Sequence, residues 1–217
     1  MRIAIAVMAR APRPGHCKTR LAGTLGTQGA AELYEAMLCD TLAALTDCGA
    51  DRLVVAATPE EDGPRTLAHL APPGWSTIAQ HGADLGERLA NVIRDLHGGT
   101  DGVVVVSSDS PTLPVAALAD AIPALRRGRA LLGPCEDGGY YALGMPSPNR
   151  RVFEGIPWST EQVAALTRTR LATVGLAWDE LPVWYDVDEP ADVERLRAEL
   201  AVHPGKAART ARVLARA

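Results

Sequence analysis

The segment "MARAPRPGHCKTRLAG" gathers Arg10, Arg13, Lys18 and Arg20 directly behind the apolar run "IAIAV", and no acidic residue precedes Glu32. Cations separated by Pro12, Pro14 and Gly15 suit a loop that wraps an anion with side-chain charge and backbone N–H groups. Ala9 and Arg10, at the end of the apolar run, would line the same place. A polyphosphate matches that charge; the competing reading is a solvated basic loop. The spacing is neither GxxxxGK[ST] nor GxGxxG.

Three other stretches offer oxygen. "VVVVSSDSPTLP" ends a hydrophobic run in Ser108 and Asp109, and a carboxylate at a strand end can hold Mg²⁺ (or Mn²⁺) while waters and substrate phosphates complete the shell. Asp109 could equally cap a turn. "WYDVDEPADVERL" supplies Asp186 and Asp188; only one of them is expected to face a site shared with Asp109. Asp188, just ahead of a helix, is the favoured second ligand, with helix-start chemistry by Asp188 or Asp192 as the alternative. "LGPCEDGGYYALG" places Asp137, Gly138, Gly139 and Tyr140 either around a small acceptor or in a tight hairpin turn. "QHGADLGERLANV" adds Gln80, Asp84, Gly86 and Arg88, either with amides at a helix start near Gly86 turned to a ligand and Arg88 toward phosphate or carboxylate, or in a purely structural role.

Positioning these residues requires strands that end beside them. Runs rich in Val, Ile and Leu at 2–9, 52–58, 76–80, 102–109 and 129–135 suit strands buried on both faces of a mainly parallel sheet. Apolar residues at three- and four-residue spacing mark helices between them, ending at Gly49, at Gly98 and Gly99, and at Gly128. Two more helices follow in "WSTEQVAALTRTRLATVG", with a Ser/Thr cap, and in "DEPADVERLRAELAVH". Alternating strands and helices imply right-handed βαβ units and an α/β fold, in which ligands collect beyond the carboxyl ends of the strands. Residues 1–200 read as one domain and 201–217 as a basic Ala/Arg-rich tail, a frayed helix or a solvated end.

Composition narrows the function. With 217 residues and 47% hydrophobic content, the chain can bury a full core. A net charge of −4 argues against a general nucleic-acid binder, because the positive charge is confined to one segment. No apolar stretch approaches a membrane span, and "IAIAVMA" lacks signal-peptide features, so a cytoplasmic location is expected. Cys17, Cys39, Cys48 and Cys135 show no metal-ligand spacing and read as free thiols.

In their order along the chain, "KTRLA", "DLGERL", "SSDSPTLP", "GPCEDGGYYALG", "PWST" and "DVDEPADVERL" resemble the DUF2064 family, also called the radical-SAM/selenodomain-associated transferase 1 family. The resemblance runs from about residue 3 to residue 197. It implies a GT-A, nucleotide-diphospho-sugar transferase-like fold, a Rossmann-type three-layer sandwich with a mainly parallel central sheet. "KTRLA" is also similar to the "KSRLA" segment of 2-phospho-L-lactate guanylyltransferases. Two departures stand out: a Pro-rich basic segment replaces the GxGxR loop of sugar-nucleotide pyrophosphorylases, and the DxD of many glycosyltransferases appears as Asp109-Ser110-Pro111.

The expected activity is a Mg²⁺-dependent nucleotidyl transfer from a nucleoside triphosphate to a small anionic acceptor. In it Lys18 and Arg20, with Arg13, hold the triphosphate, Asp109 and Asp188 carry the metal, and Asp137 to Tyr140 shape the acceptor pocket. A glycosyltransferase using a nucleotide-diphosphate sugar is the rival, disfavoured because it has only a diphosphate to neutralise. A non-catalytic nucleotide-binding protein is the third reading, and a homodimer is the candidate assembly.

Overall fold

The computed structural model describes residues 2–216. Its centre is one sheet of seven strands: β1 (Ile3–Arg10), β2 (Arg52–Thr58), β3 (Trp75–Ala79), β4 (Gly102–Ser107), β5 (Ala130–Pro134), β6 (Tyr140–Met145) and β7 (Trp178–Glu180), in the order β3-β2-β1-β4-β6-β5-β7. Strand β1 pairs in parallel with both β2 and β4, β2 with β3, and β5 with β7, whereas β6 runs antiparallel between β4 and β5. The helices are α1 (Ala22–Leu45), α2 (Gly63–Ala68), α3 (Leu85–His97), α4 (Val115–Arg126), α5 (Val163–Thr173), α6 (Pro190–Val202) and α7 (Ala208–Leu214).

Strand periodicity divides the core into layers. Ile3, Ile5 and Val7 join Leu38 and Leu42 of α1 and Leu118 and Ile122 of α4 on one face of the sheet. Ala4 and Ala6 face the other way, against Leu89, Val92, Ile93 and Leu96 of α3 and Leu171 of α5. This is the three-layer α/β sandwich, and a β1 flanked by β2 on one side and β4 on the other opens a crevice at the carboxyl ends of β1 and β4.

The five strands expected from apolar runs are present with ends shifted by one or two residues, and β6 and β7 are additional. The Asp-Gly stretch does turn a hairpin, from β5 into β6. Helix α5 differs at its start: it begins at Val163, with Gln162 as N-cap and no side-chain cap, rather than at the Ser/Thr pair. Helix α3 starts as its sequence suggests, Asp84 accepting from the Glu87 N–H at 2.8 Å.

The tail expected at 201–217 is not a solvated appendage. Helix α6 runs through Val202, and α7 packs Ala207 and Leu214 into a third cluster with Leu33 and Met37 of α1 and Leu196 and Leu200 of α6. Asp40 of α1, only 8% exposed, fastens it, accepting from the N–H groups of Arg209 at 3.2 Å and Thr210 at 2.7 Å and from the Thr210 hydroxyl at 2.8 Å. A carboxylate at a helix N-terminus satisfies donors that the helix cannot. Asp40→Ala would strand those donors beside a core and should cost about 1–3 kcal/mol. Urea denaturation measures it; an unchanged midpoint would show that α7 contributes nothing to the domain.

Candidate active site

The crevice is built by adjacent strand ends. Met8 of β1 lies in register with Ser107 of β4, so Ala9 and Arg10 emerge beside Ser108 and Asp109. The loop after β1 then returns Lys18 to this point, with Lys18 in the left-handed region at φ 46° and ψ 45°. A non-glycine residue there costs energy and is held by its surroundings.

What holds it is charge. The Lys18 side chain is 5% exposed, and its Nζ lies 2.8 Å from Asp109 Oδ1 and 2.5 Å from Asp188 Oδ1. Burial works to lower the Lys18 pKa, but the Asp109 and Asp188 carboxylates outweigh it, and the net shift is upward. The two acids are locked together through the backbone, the Val187 N–H donating to the Asp109 carbonyl at 2.9 Å. Helix-start chemistry falls to Asp192, which accepts from the N–H groups of Asp188 at 3.0 Å and Glu189 at 2.8 Å and leaves the Asp188 side chain to Lys18.

The surrounding cleft has a volume of about 720 Å³. Ala9, Arg10, Gly15, Arg20, Gln80, Arg88 and Ser108 line it with Lys18, Asp109 and Asp188. Arg20 faces Glu189 at 3.6 Å. Among the described residues Arg10 and Arg88 have no carboxylate partner, and the buried Nε of Arg88 has no hydrogen-bond partner. Gln80, 6% exposed, is fixed by its amide nitrogen, which donates to the carbonyls of Ala9 at 3.2 Å and Ala56 at 2.6 Å.

Sequence reasoning missed Tyr34. Its hydroxyl accepts from the Arg10 N–H at 2.9 Å and shares a 3.0 Å hydrogen bond with Ser108 Oγ, tying the ends of β1 and β4 together beneath the cleft. Burial, then the charge of Asp109, pushes its pKa up to about 12. The available signal was a single aromatic residue in an Ala-rich helix, since a buried tyrosine hydroxyl requires a partner.

Other expected residues lie elsewhere. Arg13 pairs with Asp62 and lines an adjoining cavity of about 380 Å³ that shares Arg10, Gln80 and Arg88 with the main cleft. Asp84 is occupied as the α3 cap, and Gly86 lies under the Trp158 indole, 2.7 Å from where a Cβ would sit. Gly86 thus borders the Trp158 wall of a neighbouring cavity and is not part of the main cleft's lining. Tyr140 is edge-on to Trp158 with its hydroxyl buried and unpartnered. Gly138, at φ 87°, is pressed against Glu161, where a Cβ would meet the carbonyl oxygen at 2.0 Å.

Of the pair, Asp188 lines the cleft with Asp109 and Asp186 does not, in line with the expectation that one acid faces the site. Asp186 still stands close enough to Asp188 and Asp109 to feel both charges. Its oxygen, Asp137's and the Cys135 sulfur lie within 4.8 Å of one another. Burial, then Asp137 and Asp188, pushes the Asp186 pKa up to about 7. The Cys135 thiol is also pushed up, by burial first and then by Asp186. All four cysteines are free and buried. No helix among the described residues is long and apolar enough to cross a membrane.

This architecture and its crevice define the nucleotide-diphospho-sugar transferase-like class of α/β folds. A Desulfovibrio desulfuricans G20 structure, provisionally assigned as a nucleotide-diphospho-sugar transferase, superposes with a TM-score of 0.87 at 32% identity, covering 100% of this chain and 95% of that one. A cytidylyltransferase from Leptospira borgpetersenii shares the fold at TM-score 0.62 and 17% identity, over 95% of this chain and 89% of its own. The chain belongs to the DUF2064 family, described as an uncharacterized protein conserved in bacteria, whose model matches residues 41–160. Phosphoenolpyruvate guanylyltransferases of two Mycobacterium leprae strains are 32% identical over 117 residues, 50% of this chain and 51% of theirs. The chain thus spans about half the length of the curated relatives it matches.

The raised Asp186 pKa has a stability consequence of fixed sign. Between 3.8, its ordinary value, and about 7 the folded state holds a proton that the unfolded state has lost, so this group lowers stability as pH rises through that window. Asp186→Asn should therefore gain stability relative to wild type between pH 5 and pH 8, read from urea midpoints. A difference independent of pH would contradict the raised pKa.

Proposed function

We propose that the protein is a Mg²⁺-dependent nucleotidyltransferase that joins a nucleoside monophosphate, taken from a nucleoside triphosphate, to a small phosphorylated acceptor. The observation that carries this reading is the convergence on one cleft of Lys18, Arg10, Arg20 and Arg88 with the carboxylates of Asp109 and Asp188. The comparisons support a transferase of nucleotide-linked groups; the acceptor, the metal and the roles of the residues are our reading.

An acceptor oxygen attacks the α-phosphorus in line, a new P–O bond forms, and the bond to the bridging oxygen breaks with its electron pair leaving on pyrophosphate. Arg10 and Arg88, which no carboxylate neutralises, attract the triphosphate. Lys18 and Arg20 stabilise the charge gathering on the departing pyrophosphate, which is electrostatic catalysis by groups already in place. Arg13 assists from the adjoining cavity, its charge partly satisfied by Asp62. Gln80 and Ser108 line the nucleotide's path.

The donor set fits a hard divalent cation, because two carboxylate oxygens already surround one cationic nitrogen at 2.8 and 2.5 Å. Asp109 and Asp188 would hold Mg²⁺, with Asp186 beside them. When bound, the metal neutralises phosphate oxygens and orients them. The second reading, glycosyl transfer from a nucleotide-diphosphate sugar, is favoured by the assignment of the Desulfovibrio relative, which is similar along the whole chain.

Incubation with Mg²⁺, the four nucleoside triphosphates, a set of nucleotide-diphosphate sugars and phosphorylated small acceptors separates the readings. Pyrophosphate released in step with a nucleotidylated acceptor is expected. Nucleoside diphosphate without pyrophosphate would establish glycosyl transfer, and binding without turnover would make the protein a nucleotide binder. Asp109→Asn should lower turnover about a hundredfold or more with an unchanged circular-dichroism spectrum; full activity would remove Asp109 from the mechanism. Lys18→Ala should weaken triphosphate binding by about 2 kcal/mol, measured by calorimetry.

A further inference from the structure

We propose that Lys18 is an internal counter-cation that occupies the metal-binding carboxylates of the free protein, so that divalent metal and polyphosphate enter the cleft cooperatively and metal alone binds poorly. The inference rests on reading the cleft as a metal–nucleotide site, and it concerns how that site is kept closed.

Lys18 Nζ is bonded to Oδ1 of both Asp109 and Asp188, the oxygens that a metal would take. A divalent ion on those oxygens and an ammonium on the same oxygens would stand close together in a partly buried place, where like charges repel strongly. One cation has to leave. The leaving ammonium meets Arg10, Arg20 and Arg88, which line the same cleft and oppose its new position. A polyphosphate reverses this, offering the ammonium oxygens to replace those it gives up.

The backbone points the same way. Lys18 sits in the left-handed region, one of two non-glycine residues with positive φ among those described, and the other, Ser159, lines the same cleft. A strained residue persists only while its contacts hold it; the Leu21 N–H donates to the Lys18 carbonyl at 2.9 Å, and the two carboxylates hold the side chain. Metal arrival would remove the carboxylate contacts and leave the Lys18 side chain to turn to the polyphosphate. Thermodynamic reciprocity then requires that metal and polyphosphate tighten each other's binding by the same factor.

The test is Mn²⁺ binding to the full chain without nucleotide, followed by electron paramagnetic resonance of the free ion, for wild type, Lys18→Met, Arg20→Met and Asp109→Asn. Lys18→Met should bind Mn²⁺ about tenfold or more tightly than wild type, within the usual range of coupling between sites. Arg20→Met, which removes the same charge from the same cleft without freeing a carboxylate pair, should stay within about threefold of wild type. Equal affinity of Lys18→Met and wild type, with Asp109→Asn impaired, would overturn the counter-cation role while leaving the metal site intact. Equal tightening by Arg20→Met would reduce the effect to the general field of the cleft and overturn it too. Binding unaffected by Asp109→Asn, or absent from every variant, would overturn the metal reading and the inference with it. Should Lys18→Met fail to fold by circular dichroism, Lys18→Gln, which can still hydrogen-bond both carboxylates but carries no charge, gives the same comparison.

Discussion

A buried ammonium can be kept only where carboxylates meet it, and the crevice of this protein is organised by that requirement. Lys18 is 5% exposed at its side chain, and Asp109 and Asp188 both reach it. Removing one partner would leave charge stranded in a place of low dielectric, which costs far more than an exposed ion pair contributes. The constraint ties together parts of the chain 170 residues apart. The basic loop, the end of β4 and the approach to α6 therefore cannot move independently. Tyr34 and the Val187–Asp109 backbone bond close the same knot from below.

Around this centre lies cationic charge that no carboxylate meets among the described residues. Arg10 and Arg88 border the cleft without acidic partners among the described residues, although the whole chain carries a net charge of −4. Two unpaired arginines beside a lysine form a field suited to a ligand carrying several negative charges. The cluster of Cys135, Asp137 and Asp186 stands next to this field, and burial, then the charges of Asp137 and Asp188, raise the Asp186 pKa.

The sheet's first half was legible because parallel strands buried on both faces leave continuous apolar runs, as in "GVVVVSS". Strand β6 was not, since "YYALGM" begins in a Gly-rich turn and carries Gly144, packed so closely under Leu131 that a Cβ would lie 3.0 Å from the leucine's own. In the site, Lys18, Asp109 and Asp188 were readable from charge type and from their position after strands. Asp84 and Gly86 lie outside the cleft lining, because a helix cap and an indole overhead draw on the same residue types as ligand binding. Tyr34 and the docking of α7 through Asp40 depend on contacts between distant segments, which local pattern does not encode.

The central claim is that one polyphosphate draws the amino-terminal cations and the distant carboxylates together. A crystal structure of the protein with Mg²⁺ and a triphosphate whose α,β-bridging oxygen is replaced by methylene tests it most directly. The account predicts density for the phosphates between Lys18, Arg20 and Arg88, with the metal on Asp109 and Asp188. Phosphates bound elsewhere, with Lys18 still clasped between the two aspartates, would contradict it.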